Sequence, residues 1–600
     1  MKGIAIICCL ISATAFAQHK GQMDAARLPV LAPHYQPEYT FDEPTAPAAW
    51  KELRGGLHAA FGSTDQAYFR TEAPSQNIRA TWEATGWKNE RLNAQLLVWS
   101  PDSLRQVRFT VSNLVNTEGK VISSKHAKLQ LVRYVLSNYP YGAKDAVCEG
   151  SPYQQGFLMP DRLEEFDRFD LAGKTTRPVW ISLDVPVDAA PGQYTGTVLV
   201  HTERYTDTLH MKIRVQQQLL PPPQEWQYRL DLWQNPWAVA WYNHVEPWSD
   251  EHRALLKKHL QLYAGAGGKY ITTYAVHSPW SDNSYMIEGG MINWIKQKDG
   301  TWKYDYTIFD DYVEMAMALG INKAITIYTP VPWGNRFRYT DAASGNYVYA
   351  QWAPGTAEYR ARWHDFLDDL RAHLEKKGWF GKTYLGINEN ELPQTLAAIK
   401  VIKEHSPQWR ITYAGNWHQE LDTLLDDYCY LYGNEPVDSQ QRQRSARGAT
   451  TTFYVCCNPP VPNNFVFSPP IEGRWISWYS FARGYDGFLR WAYDGWPEDP
   501  VRDARHGSWP AGDCYLVYPG GNSSIRLEKL REGIVDYEKL RILKTQAAAS
   551  GNKTVKRSWQ AIEQHLNVFT AERGFKEEKI TADVEKGRAL MITLSNELAR

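Results

Sequence analysis

The sequence predicts a multidomain β plus α/β protein: an N-terminal β-sandwich, then a (β/α)₈ barrel of the TIM type, then a C-terminal helical tail. Three observations predict it. Residues from about 75 to 215 form short runs of alternating apolar and polar side chains with turn signals between them. Leu219-Leu220-Pro221-Pro222-Pro223 then reads as a stiff linker. Beyond it the period changes, and short apolar runs alternate with amphipathic helices.

The chain starts with an address. Lys2, the apolar run Ile4 to Ile11 and the Ala15-Phe16-Ala17 end have the pattern of a secretory signal peptide, residues 1–17. Cleavage near Ala17 would send the protein to the periplasm or outside the cell. No later stretch is long and apolar enough for a membrane span. Cys148, Cys429, Cys456, Cys457 and Cys514 remain after the leader. Five scattered cysteines do not make a disulfide framework, and they are expected as buried thiols.

Residues 18–218 are assigned to the sandwich with an extended leader. Arg108 to Ser112 alternates, and so does Val179 to Val185. Pro191-Gly192 marks a turn before the strands Tyr194–His201 and His210–Val215. Residues 225–545 are assigned to the barrel. Its candidate strands are Arg229–Asn235, Tyr270–His277, Ala324–Pro330, Thr383–Asn388, Arg410–Asn416, Tyr428–Gly433, Thr451–Cys457 and Gly487–Tyr493. Asp513–Tyr518 makes a ninth candidate, one more than a barrel needs. The helix Ala357–Lys377 carries Tyr359, Trp363, Phe366, Leu367, Leu370 and Leu374 on one stripe. A charged helix is expected over Ser523–Lys544, and residues 546–600 are helical in pattern.

Composition narrows the function. Lys+Arg is 66 and Asp+Glu is 67, for a formal net charge of -1, which argues against a nucleic-acid partner. The chain holds 25 Trp, 35 Tyr and 19 Phe. Flat rings with polar edges suit sugars, which have apolar faces and hydroxyl rims. P-loop, HExxH and GxSxG motifs are missing, so no cofactor is expected. Asp305, Asp310 and Asp311 read as a helix start, not a metal site.

In such barrels chemistry happens at the C-terminal ends of the strands. That rule selects Asn235, His277, Tyr328, Trp333, Asn388, Glu389, Asn416, His418, Tyr454, Trp491 and Trp496. They would form a ring of aromatic and amide groups around one central carboxylate. A glycan could be held there by stacking and hydroxyl hydrogen bonds, with Glu389 as the acid.

Several stretches resemble glycoside hydrolase family 123, bacterial β-N-acetylgalactosaminidases. They are Leu230 to Pro236, Phe309 to Val313, Thr451 to Cys457, Gly487 to Tyr493, Trp509 to Asp513, Tyr518 to Gly520, Ser524 to Arg526 and Leu530 to Glu538. The resemblance implies a sandwich before the barrel and a retaining glycosidase. It implies substrate assistance, in which the sugar's 2-acetamido oxygen attacks the anomeric carbon, an exception to the two-carboxylate scheme. An Asp-Glu pair ends the fourth strand in that family, the Glu as acid/base and the Asp orienting the acetamide. Carried over, Glu389 is the acid/base, and Asp513 joins Trp491 in the sugar pocket.

Here the pair stands as Asn388-Glu389, followed by Asn390-Glu391. An amide oxygen can accept from an acetamide N–H but carries no charge. Three readings stay open. Asn388 orients the acetamide; or Glu391 or another acid completes a conventional pair on a different substrate; or the protein binds glycans without turning them over. Glu391 itself reads most simply as a solvated charge at a helix start.

Overall fold

The computed structural model describes residue 38 and residues 48–138, 156–280, 289–506, 509–572 and 574–600. The signal peptide and Cys148 lie outside the described residues.

Two sheets face each other in the N-terminal part. One runs in the order His58–Gly62, Arg91–Ser100, Thr175–Asp184, Ala127–Ser137, Phe157–Glu164, antiparallel throughout. The other runs Thr81–Lys88, Thr206–Leu219, Gly192–His201, Leu104–Val111, Phe169–Leu171. Leu96, Val98, Val179 and Ile181 from the first meet Val107, Val198, Leu209 and Ile213 from the second in one apolar core. Alternation places these residues on one face of each strand. Trp180 and Ser182, on the other face of their strand, are buried too. The reason is that the first sheet backs onto the barrel: Trp180 packs with Ile525. The charged residues of this seam are paired. Arg526 binds Asp161, Lys529 binds Asp65 and Glu532, and Asn93 donates to Glu532.

The second part holds eight parallel strands: β1 (Arg229–Leu232), β2 (Tyr270–Tyr274), β3 (Ala324–Tyr328), β4 (Thr383–Ile387), β5 (Arg410–Gly415), β6 (Asp427–Leu431), β7 (Thr450–Tyr454) and β8 (Gly487–Arg490). Neighbours in sequence are neighbours in space from β2 to β8, and β8 pairs with β1. The barrel is nearly closed. At the β1–β2 seam a single parallel bridge joins Leu230 to Gly268. The Gln234 side chain continues the seam, its oxygen accepting from Thr272 N at 2.9 Å. Within the barrel Arg229 pairs with Asp427 and Asp231 and lies 4.0 Å over the Tyr270 ring.

Helices cover the outside. Ala357–Lys377 is capped by Thr356 and ended by Gly378 at φ 71°, and it buries the predicted stripe. Ile525–Ala549 is capped by Ser524 and packs along Ile471–Arg483. Asp305 starts the helix Thr307–Ala318 by accepting from Thr307 N at 3.0 Å, which agrees with the helix-start reading. The tail forms helices Lys553–Leu566 and Glu577–Leu598. The ninth candidate strand is corrected: residues 513–518 make only isolated bridges, Asp494 with Tyr515 and Tyr518 with Asn522. A four-stranded sheet of Trp302–Asp305, Asn293–Lys296, Arg336–Asp341 and Asn346–Gln351 stands in the segments after β2 and β3. Among the described residues no helix is long and apolar enough to cross a membrane.

Candidate active site

The loops after the strands enclose a cleft of about 810 Å³, a size that accommodates a small glycan. One wall is built of stacked rings. Trp233, just past β1, stacks on Trp280 with centroids 5.1 Å apart and planes 8° apart. Tyr328 supports both from below, at 4.6 and 5.3 Å. Across the cleft Trp491 meets Trp509 edge-on at 5.8 Å. Tyr413, Tyr454 and Leu489 complete the apolar lining.

Glu389 lies two residues past β4, exposed to the cleft. The hydroxyl of Tyr454, the last residue of β7, donates to its Oε1. Burial, with the Glu389 charge next, raises the Tyr454 phenol well above its ordinary value, so it remains a donor. Among the described residues lining the cleft there is no Lys or Arg.

Asn388 is buried beside it. Its side-chain amide faces two indole N–H groups, Trp280 at 3.2 Å and Trp333 at 2.6 Å. An indole N–H can only donate, so the amide oxygen is the atom turned to them. Both lone pairs of that oxygen are then used, and the NH₂ group stands on the side of Asn390, whose Nδ2 lies 3.3 Å away. Asn390 holds the turn, its Nδ2 donating to the carbonyls of Val331 and Asn388, both at 3.2 Å.

Asp513 forms the back of the cleft. It is fully buried, and Arg490 Nη2 donates to its Oδ1 at 2.7 Å. Burial raises its carboxyl to about 6, against the pull of Arg490 and of a hydrogen bond from Trp491. Cys456 also lines the cleft, its thiol pushed up to about 12 by burial and by the nearby carboxylates of Asp513 and Glu389. Cys429, Cys456 and Cys514 are free thiols. Cys457 is disulfide-bonded, which corrects the expectation of thiols throughout.

Of the residues selected from sequence, Trp333, Asn388, Glu389, Asn416, His418, Tyr454, Trp491 and Asp513 line this one cleft. Glu391 stands on its rim, exposed, at the start of helix Leu392–His405. Four others lie elsewhere. Asn235 caps the helix Pro236–Tyr242, accepting from Ala238 N, and its own N–H donates to Asp494. Trp496 is buried behind the wall, its Nε1 donating to Val517 O and its ring against Tyr242 and His259. Tyr328 is buried beneath Trp233 and Trp280 and does not line the cleft. His277 is outside the lining, beside Gly290. For Asn235, Trp496 and Tyr328 the position is used for capping or packing.

Sequence reasoning missed Trp233, Trp280, Tyr413 and Trp509. Trp233 precedes the chosen Asn235 by two residues, the alternation step that keeps a strand's face. Tyr413 lies on the opposite face of β5 from Thr412, which bonds Asp427 within the barrel. Trp280 lies in a loop with no periodic signal.

The model of the glycoside hydrolase family 123 catalytic domain matches residues 233–543, and that of the family's N-terminal domain matches residues 61–202. The chain belongs to glycoside hydrolase family 123. It is therefore a glycoside hydrolase by descent. A family 123 enzyme from Clostridium perfringens, solved in a study of glycolipid glycan hydrolysis, superposes with a TM-score of 0.82 at 25% identity. That match covers 90% of this chain and 98% of the other. A β-glucuronidase from Parabacteroides merdae covers 80% of this chain and 51% of its own at 10% identity, with a TM-score of only 0.29. No curated protein matches the chain.

Proposed function

We propose that this family 123 member removes a terminal β-linked N-acetylgalactosamine, or a similar 2-acetamido sugar, from a glycolipid-type glycan with retention. The leader read from the sequence fits an exported enzyme. One observation carries the mechanism. Among the described residues Glu389 is the cleft carboxylate that Tyr454 holds and that no cation pairs. Asp513 is bound to Arg490, and Glu391 is on the rim at a helix start. A conventional double displacement needs two working carboxylates. With Glu389 working alone and Glu391 out on the rim, the nucleophile in this reading comes from the substrate.

The acetamido oxygen attacks the anomeric carbon and the glycosidic oxygen leaves with the proton of Glu389. The sugar becomes a bicyclic oxazolinium. Water then adds at the anomeric carbon, giving its proton to the Glu389 carboxylate, and the ring reopens to the acetamide. Tyr454 holds Glu389 in place. The stacked Trp233 and Trp280, with Trp491 opposite, provide flat walls for the sugar. Asn388 meets the sugar as a donor, because its oxygen is held by Trp280 and Trp333. It does not supply the charged acceptor of an Asp-Glu pair, so turnover should be slow.

The test is hydrolysis of an aryl 2-acetamido-β-galactoside. Release is expected from it and not from the β-galactoside lacking the acetamide, and Glu389→Gln should abolish release. Equal cleavage of both sugars would overturn the reading. The committed oxygen of Asn388 also favours a second reading, a glycan binder descended from an enzyme. That protein would bind the sugar and release nothing.

A further inference from the structure

Charge is divided between the cleft and its rim. The lining holds Glu389, Glu391 and Asp513 and, among the described residues, no Lys or Arg. Such a pocket suits a neutral sugar and repels an acidic one. Three residues beyond Trp333 of the cleft wall, the chain enters the hairpin Arg336–Asp341 and Asn346–Gln351. Its base is tied beside the cleft by Trp352 N donating to Asn335 O at 3.1 Å.

The two faces of this hairpin differ sharply. Phe337 and Tyr339 point inward and stack on Trp352, at 5.0 and 6.2 Å, so the hairpin is firmly seated. The outward face carries Arg336 and Arg338 with Tyr347 and Tyr349, which are 61% and 48% exposed. Each guanidinium lies over a ring across the hairpin, Arg338 over Tyr347 and Arg336 over Tyr349, both at 4.1 Å. Among the described residues neither has a carboxylate partner, and Arg336 is exposed. A ring against the guanidinium covers one of its faces and leaves its N–H groups able to donate outward. Those groups match a carboxylate in two-pronged fashion. Holding the side chain against a ring also reduces the freedom lost on binding.

We infer that this hairpin is a binding site for a carboxylate-bearing sugar of the same glycan, lying next to the neutral residue cut in the cleft. The inference rests on reading the cleft as a glycosidase site and names its substrate class more closely. The ring walls take the neutral terminal sugar, and Arg336 and Arg338 take the acidic neighbour.

Two oligosaccharides ending in the same β-linked 2-acetamido sugar, one with an adjacent sialic acid and one without, test it at low salt. The acidic one should be cleaved with a roughly three- to tenfold higher kcat/KM, the range expected of two exposed charge pairs. The preference should disappear in the Arg336→Gln/Arg338→Gln variant and in high salt, while the neutral substrate keeps its rate. Binding of 3′-sialyllactose, followed by NMR saturation transfer, should be lost in the same variant. An acidic preference that survives in the variant, or none in the wild type, overturns the inference. So does tighter binding of lactose 3′-sulfate than of 3′-sialyllactose, or loss only of binding to anionic phospholipid vesicles. If neither oligosaccharide is cleaved, the glycosidase reading fails, and the 3′-sialyllactose measurement alone decides the hairpin site.

Discussion

Restoring a carboxylate at position 388 should accelerate the enzyme. In Asn388→Asp both indoles keep an acceptor, since Trp280 and Trp333 donate to an oxygen at 3.2 and 2.6 Å. The second oxygen replaces NH₂, becoming an acceptor for the acetamide N–H and bringing negative charge. At about 5 Å from the oxazolinium and an effective dielectric constant of about 20, the attraction is about 3 kcal/mol. Taken whole, that is somewhat over a hundredfold in rate. Burying the carboxylate offsets part of it, and the two indole donors return about 1 kcal/mol each by bonding a charge. The expected net gain in kcat is about tenfold to a hundredfold on an aryl 2-acetamido-β-galactoside. Thermal melting of the variant must be followed in parallel. A rate that stays level or falls in a normally folded Asn388→Asp protein would refute the reasoning. It would mean that the donor face of Asn388 is matched to its own substrate.

Further outcomes follow from buried groups. Tyr454→Phe removes the hydroxyl that bonds Glu389 and should lower kcat/KM by about tenfold or more, the worth of one bond to a charged group, with little change in melting temperature. Asp494 is raised to about 7 by burial, against the N–H of Asn235. An acid raised on folding costs stability as pH climbs from its unfolded value near 4 through 7, because the unfolded chain gives up the proton first. Asp494→Asn, whose oxygen still accepts from Asn235, should therefore raise the melting temperature at pH 8 and change it little at pH 4. Glu532 is fully buried, yet Lys529 and then Arg474 hold its carboxyl down at about 2. Its contribution is present above the unfolded value and is lost as pH falls through 2. Glu532→Gln should cost about 3–5 kcal/mol at pH 7 in denaturant titrations, with the loss shrinking in strong acid.

Much of the architecture is legible in the sequence because the period itself reports the layers. Val179 to Val185 alternates since one face meets the other sheet, and the stripe from Tyr359 to Leu374 is the buried face of one helix. The eight barrel strands read correctly but too long at their C-terminal ends, since apolar character continues into the loops that build the cleft. The ninth candidate failed for the same reason: residues 513–518 are buried without pairing in the sheet. Strand-end position found Glu389, Tyr454 and Trp491. It could not distinguish a residue facing the cleft from one capping a helix, as Asn235 does, or one packed behind the wall, as Trp496 is. The engagement of Asn388 by Trp280 and Trp333 was invisible, because it joins three loops far apart in sequence.

Graded fluorination of the acetamide tests the central claim most directly. Aryl β-galactosides carrying acetamido, fluoroacetamido, difluoroacetamido and trifluoroacetamido groups differ mainly in the nucleophilicity of one oxygen. If that oxygen attacks the anomeric carbon while Glu389 protonates the leaving group, kcat/KM falls steeply with each added fluorine. A flat series would contradict the account and require a nucleophile from the protein.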